Sequence, residues 1–181
     1  MTTSKTAIPA LVVMGVAGCG KSVVGAAIAK HTGGRLIEGD AFHPQANIDK
    51  MSAGIPLDDE DRSGWLDTLG EELAKAVANG ELPILTCSAL KKIYRDRLRA
   101  AVPGLGFVFL ELTKELAIDR IQHRPGHFMP ASLVDSQFAT LQPPNGEPNT
   151  LVAKVDAKVS IETLGVQAAD WWKESQVASA S

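Results

Sequence analysis

A chain of 181 residues falls within the roughly 100–200 residues of a single domain and can bury about 70% of its unfolded surface. With 45% hydrophobic and 22% charged residues, its composition excludes a disordered chain, a collagen and a coiled coil. Two cysteines, Cys19 and Cys87, exclude a disulfide scaffold and a multi-cysteine zinc centre and fit a reducing compartment, while a net charge of −3 provides no global basic field for nucleic acid or an anionic membrane.

In chain order, the apolar stretch 7–16 imitates an export signal ahead of Cys19. It is short, carries Pro9, and cleavage there would cut the strongest motif in the chain. No run approaches the ~20 apolar residues of a membrane span. Residues 10–14, 35–38, 82–87, 107–111 and 151–155 read as strands, near-continuous in apolar residues as in a parallel sheet covered on both faces. Apolar spacing near 3.6 predicts helices over 21–31, 58–79, 90–101, 113–123, 130–139 and 160–172. Asp58 reads as an N-cap, Gly80 and Pro125-Gly126 as helix stops. The alternation predicts a single three-layer α/β/α domain wound by right-handed crossovers. Stretches 40–62 and 122–144 are too long and polar for simple connectors, a mark of functional segments. The ends, 1–8 and 177–181, read as loose.

Gly15-Val16-Ala17-Gly18-Cys19-Gly20-Lys21-Ser22 matches Gly-x-x-x-x-Gly-Lys-Ser/Thr between a predicted strand and a predicted helix. Glycines let backbone amides converge on phosphate oxygens, and the helix N-terminus adds positive potential. In such a P-loop, Lys21 reaches the β- and γ-phosphates and the Ser22 hydroxyl helps hold Mg2+. All eight residues are thus expected to cradle a nucleoside triphosphate, with Cys19 a small filler. A GTPase is disfavoured: Asp61-Arg62-Ser63-Gly64 falls in an acidic helical run, and the chain has no Asn-Lys-x-Asp. A transport or motor ATPase would be longer and end an apolar strand in Asp, whereas the third strand ends Thr86-Cys87-Ser88. A small-metabolite kinase fits the length and the two long stretches.

Such a kinase must align an acceptor hydroxyl with the γ-phosphorus and exclude water. Glu38-Gly39-Asp40 closes the second strand, at the sheet edge where α/β folds bind ligands. Asp40 can orient or deprotonate the hydroxyl and Glu38 can hold a magnesium-bound water; a solvated strand end is the alternative. Arg120 and Arg124 lie four apart on one helical face and suit a lid donating to the triphosphate, although two exposed arginines fit the same spacing nearly as well. His31, His43, His123 and His127 form no metal-ligating set, since Pro125 and Gly126 break the helix between the last two.

From Gly39 onward the residues become more particular: Gly39-Asp40-Ala41-Phe42-His43-Pro44, Asn47, Lys50-Met51, Gly54, Pro56-Leu57-Asp58, Asp61-Arg62 and Trp65-Leu66. With Cys87-Ser88-Ala89-Leu90-Lys91-Lys92-Ile93-Tyr94-Arg95, Gly126-His127-Phe128 and Gln137-Phe138-Ala139-Thr140, they resemble the gluconokinase family in order from about 11 to 156. The resemblance implies a P-loop kinase fold of the nucleoside-monophosphate-kinase type. It has a five-stranded parallel sheet of order 2-3-1-4-5, a substrate-binding insertion at about 40–66 and a helical lid at about 120–142. It also implies phosphorylation of D-gluconate at its terminal hydroxyl by MgATP, giving 6-phosphogluconate for the pentose phosphate route, in a cytoplasmic homodimer. One departure is visible: Glu38-Gly39-Asp40 stands where Asp-Gly-Asp is expected.

Gluconate is a monoanion with a row of hydroxyls, so its pocket needs a cation and several neutral hydrogen-bonding groups. Candidate cations are Lys50, Arg62, Lys91 and Arg95, the arginines first because they hold a carboxylate by two parallel bonds. His43, Asn47, Ser88 and Gln137 are candidate hydroxyl readers, and Arg120 with the 156–159 loop a candidate adenine site. A related kinase of shikimate or a nucleoside monophosphate, and a non-catalytic binder of ATP and gluconate, are the competing readings.

Overall fold

Residues 7–123 and 131–180 are described by a computed structural model. Five strands, β1 (Leu11–Met14), β2 (Arg35–Glu38), β3 (Pro83–Thr86), β4 (Gly106–Glu111) and β5 (Thr150–Lys154), form one parallel sheet of order β2-β3-β1-β4-β5. This is the order the family resemblance implies. β1 is central because it is apolar on both sides: Leu11 and Val13 point into one core, Val12 and Met14 into the other, all 0% exposed.

Among the described residues, seven α-helices accompany the sheet: α1 (Lys21–Thr32), α2 (Gln45–Ser52), α3 (Asp59–Ala78), α4 (Lys92–Ala101), α5 (Lys114–Gln122), α6 (Ala131–Thr140) and α7 (Ile161–Ala180). On one face α1 and α7 bury Val24, Ile28, Leu164 and Ala168. On the other, α3 and α4 bury Leu66, Leu69, Leu73 and Leu98. Layers of helix, sheet and helix follow.

Asp58 caps α3 as expected. Its carboxylate accepts from the Asp61 amide at 2.7 Å, and the Asp61 carboxylate accepts from the Asp58 amide at 3.0 Å. The 40–62 stretch is more structured than its polarity suggests, holding a short 3-10 turn over Gly39–Phe42 and then α2. Tertiary contacts stabilise α2: Asn47 is buried and Lys50 pairs with Asp61 at 2.7 Å. α4 begins at Lys92 rather than 90, because its N-cap, Lys91, is extended at φ −104° and ψ 148°.

Of the ends expected to be loose, residues 1–6 and 181 lie outside the described residues. Ile8 is buried and its carbonyl accepts from Trp172 Nε1 at 2.9 Å, tying the N-terminal segment to α7. α7 itself runs to Ala180, past the expected end at Trp172, and its backbone stays helical through 177–180.

Candidate active site

The loop between β1 and α1 turns on Gly18 (φ 82°) and Gly20 (φ 95°), where a side chain would be strained. The space is closed too. A Cβ on Gly18 would lie 2.9 Å from the Ala117 carbonyl of α5, and one on Gly20 3.0 Å from the Ile161 side chain of α7. α1 has no side-chain cap, so the amides of its first turn have no side-chain partner of their own and are available to an anion. Lys21 Nζ donates to the carbonyls of Gly15 and Val16 at 3.1 Å each, and Cys19 is buried against Gly15 as filler.

Beside the loop, Ser22 Oγ donates to Glu38 Oε2 at 3.0 Å, and Thr86 Oγ1 donates to the same oxygen at 2.7 Å. Thr86 also accepts from the Gly39 amide at 3.2 Å. Sequence reasoning missed Thr86. Its signal was the parallel register, which sets Glu38 directly opposite Thr86 once β2 pairs with β3. The extra methylene of Glu38 thus reaches a place where Ser22 and Thr86 both meet it. Hydroxyl and carboxylate oxygens side by side are ligands suited to a hard cation such as Mg2+.

Gly39 brings the backbone in close: a Cβ there would sit 2.1 Å from the Thr86 carbonyl. Trp65 Nε1 donates to the Gly39 carbonyl at 2.9 Å, fixing the turn that carries Asp40. The Asp40 side chain is 90% exposed to the cleft, with His43 Nε2 3.7 Å from its Oδ1. The His43 imidazole holds the Asp40 carboxyl below the ordinary carboxylate range, and the charges of Lys21 and Arg62 reinforce it. Loose phosphoryl transfer asks mainly that such a carboxylate orient the hydroxyl.

A cleft of about 260 Å3 joins these parts. Lys21, Ser22, Asp40, His43, Arg62 and Ser88 line it, with Met51, Leu57 and Ile121 as apolar wall. Arg62 lies over the Tyr94 ring at 5.4 Å, and its Nε is buried with no hydrogen-bond partner among the described residues. Cys87, just behind Ser88, is buried, which pushes its thiol up to about 12 and keeps it out of acid–base chemistry.

Other expected residues are committed elsewhere. Arg95 is corrected from carboxylate ligand to structural clamp: its side chain is 0% exposed, bonded to both Glu147 oxygens and to the Ala89 and Gln142 carbonyls. Lys91 pairs with Asp59 at 2.8 Å and Lys50 with Asp61, so neither is an uncommitted cation. Asn47 is 2% exposed and donates to the Asp61 carbonyl at 3.0 Å instead of facing the cleft. Gln137, on α6, lines the cleft, but its Oε1 accepts from the Ala17 amide at 2.7 Å, tying α6 to the phosphate loop. Arg120 Nη1, on α5, is buried and has no hydrogen-bond partner among the described residues. Arg124 lies outside the described residues.

Among the described residues, no helix is long and apolar enough to cross a membrane, and no group of three or more His, Cys, Asp or Glu is placed to hold a metal. No protein-family model matches the chain. It is 47% identical over 137 residues to a gluconokinase of Gluconobacter oxydans, covering 76% of this chain and 77% of that protein. It is 42% identical over 156 residues to the thermosensitive gluconokinase of Escherichia coli, covering 86% and 83%. The crystal structure of a gluconokinase from Sinorhizobium meliloti matches with a TM-score of 0.83 at 46% identity, over 93% of this chain and 94% of that one. With similarity at this level over most of each chain, in sequence and in fold, this chain belongs to the gluconokinase family.

Proposed function

We propose that the protein transfers the γ-phosphoryl group of ATP to the terminal hydroxyl of D-gluconate, giving 6-phospho-D-gluconate and ADP. One observation carries the reading: the phosphate-loop residues Lys21 and Ser22 share a single cleft with Asp40 and Arg62. The first pair suits the donor's phosphates, the second an acceptor with both a hydroxyl and a carboxylate.

In this mechanism the uncapped amides at the start of α1 hold the phosphate tail, and Lys21 exchanges its two loop carbonyls for β- and γ-phosphate oxygens. Ser22, and Glu38 through water, would hold Mg2+, which neutralises phosphate charge when bound. Asp40 aligns the hydroxyl and takes its proton as the oxygen bonds to the γ-phosphorus and the bond to the ADP oxygen breaks. Arg62 binds the carboxylate, because Lys50, Lys91 and Arg95 already have partners. Arg120 contributes from the lid to the triphosphate, and the 156–159 loop, next to the Ile161 that touches Gly20, borders the adenine. We assign residues 40–66 to acceptor binding and 120–142 to the lid of one domain. A cytoplasmic homodimer follows from the family resemblance alone.

The test is turnover with MgATP across gluconate, shikimate and AMP, reporting 6-phosphogluconate as NADPH through its dehydrogenase. Gluconate should be the preferred acceptor, and Lys21→Ala should lower kcat/KM by about 1000-fold or more. Equal rates on all acceptors would overturn the specificity, and ligand binding with no ADP formed would leave a sensor instead of an enzyme.

A further inference from the structure

We propose that His43 is a positioning residue that holds Asp40 as a neutral imidazole, with its proton fixed on Nε2 by Asn47. The inference rests on the reading of Asp40 as the group that meets the acceptor hydroxyl.

Asn47 Nδ2 lies 3.0 Å from the Asp61 carbonyl. A carbonyl only accepts, so the amide nitrogen, and not the amide oxygen, must face it. The same Nδ2 lies 3.3 Å from His43 Nδ1. An NH2 group only donates, so Nδ1 accepts and carries no proton. The neutral ring therefore has its proton on Nε2, the atom 3.7 Å from Asp40 Oδ1. The ring is locked in this direction: its side chain is 3% exposed and stacked on Trp65, with centroids 4.0 Å apart and planes at 17°. Trp65 in turn is anchored on the Gly39 carbonyl, one residue before Asp40.

Both ring nitrogens thus face protein groups, which replaces the expected role of His43 as a reader of substrate hydroxyls. A neutral donor steers the carboxylate without the full positive charge of an imidazolium, approaching it at Oδ1. Oδ2 is left for the acceptor. The separation of 3.7 Å exceeds a normal hydrogen bond; contacts of this kind often tighten only in the reactive complex. As the alcohol oxygen bonds to the γ-phosphorus and the bond to the ADP oxygen breaks, the alcohol proton passes to Oδ2 of Asp40 and His43 keeps its own.

Two measurements test this on the full chain. Nitrogen-15 NMR of the imidazoles at neutral pH, with His43 assigned by its loss in His43→Gln, should show an unprotonated Nδ1 and a protonated Nε2. A proton on Nδ1 would overturn the proposal. In kinetics, His43→Phe keeps an aromatic ring for Trp65 but has no donor, whereas His43→Gln restores a donor near the Nε2 position. His43→Phe should lower kcat by roughly 10- to 100-fold with KM for gluconate nearly unchanged, and His43→Gln should recover most of it. A rise in KM for gluconate with kcat intact, or a Gln variant no better than Phe, would sink the positioning role. Undiminished kcat in Asp40→Asn would instead refute Asp40 as the reacting carboxylate, while the tautomer, read without turnover, would stand or fall separately.

Discussion

Arg95 and Arg62 have similar prospects in the sequence and opposite situations in the fold. Arg95, on α4, is fully buried, and its guanidinium meets Glu147, Ala89 and Gln142. Arg99 adds a second cation to Glu147 at 2.8 Å. This clamp joins the segment just after α6 to the turn at the end of β3, where Ala89 takes its left-handed conformation. Arg62, at the start of α3, lies on the Tyr94 ring beside the cleft with its Nε unmatched. An arginine whose donors are matched by protein acceptors maintains structure, whereas one that keeps unmatched donors at a cleft is available to a ligand.

The sharpest way to break this contrast is at the clamp. Glu147→Gln leaves Arg95 buried without its counter-charge and should lower unfolding stability by about 3–5 kcal/mol in denaturant titration. Burial pushes the Glu147 carboxyl up, but the bonds from Arg95 and Arg99 outweigh it and hold the carboxyl below 4.5 in the folded state. Its contribution is therefore fully present above pH 4.5 and is lost as pH falls through the lowered value. The variant should lack that segment of the acid-stability curve. A wild-type curve in Glu147→Gln would show that the clamp contributes nothing.

Next in size is Arg62→Met, which should raise KM for gluconate roughly 10- to 100-fold, the loss of about 1.5–3 kcal/mol of charge-assisted bonding. KM for ATP should hold steady in the same steady-state assay. An unchanged KM for gluconate would erase the distinction between the two arginines. The smallest effect is at the base of the same helix turn. Asp58→Ala removes one half of the capping box below Arg62 and should cost about 1 kcal/mol, seen as a fall in Tm of about 2–4 °C.

Legibility in the sequence followed the range of the interaction. The eight-residue loop from Gly15 to Ser22, the capping Asp58 and the five strands each rest on neighbours within a few positions, so pattern and spacing revealed them. The Glu38–Thr86 contact spans 48 positions and needs the β2–β3 register. The Arg95–Glu147 pair spans 52 and needs the path of the chain after α6. Helix α2 was hidden because its eight residues are mostly polar and are held by Asn47 and Lys50 reaching across to Asp61.

By itself, then, the amino-acid order determined the doubly apolar strands, the phosphate loop and the succession of polar residues that marks the family, since each is local chemistry written in adjacent side chains. Tertiary structure alone decided which charges are already partnered and which face the cleft, and which nitrogen of His43 is obliged to accept. A charged or tautomeric side chain takes its role from the groups packed around it, and here those groups arrive from distant parts of the chain.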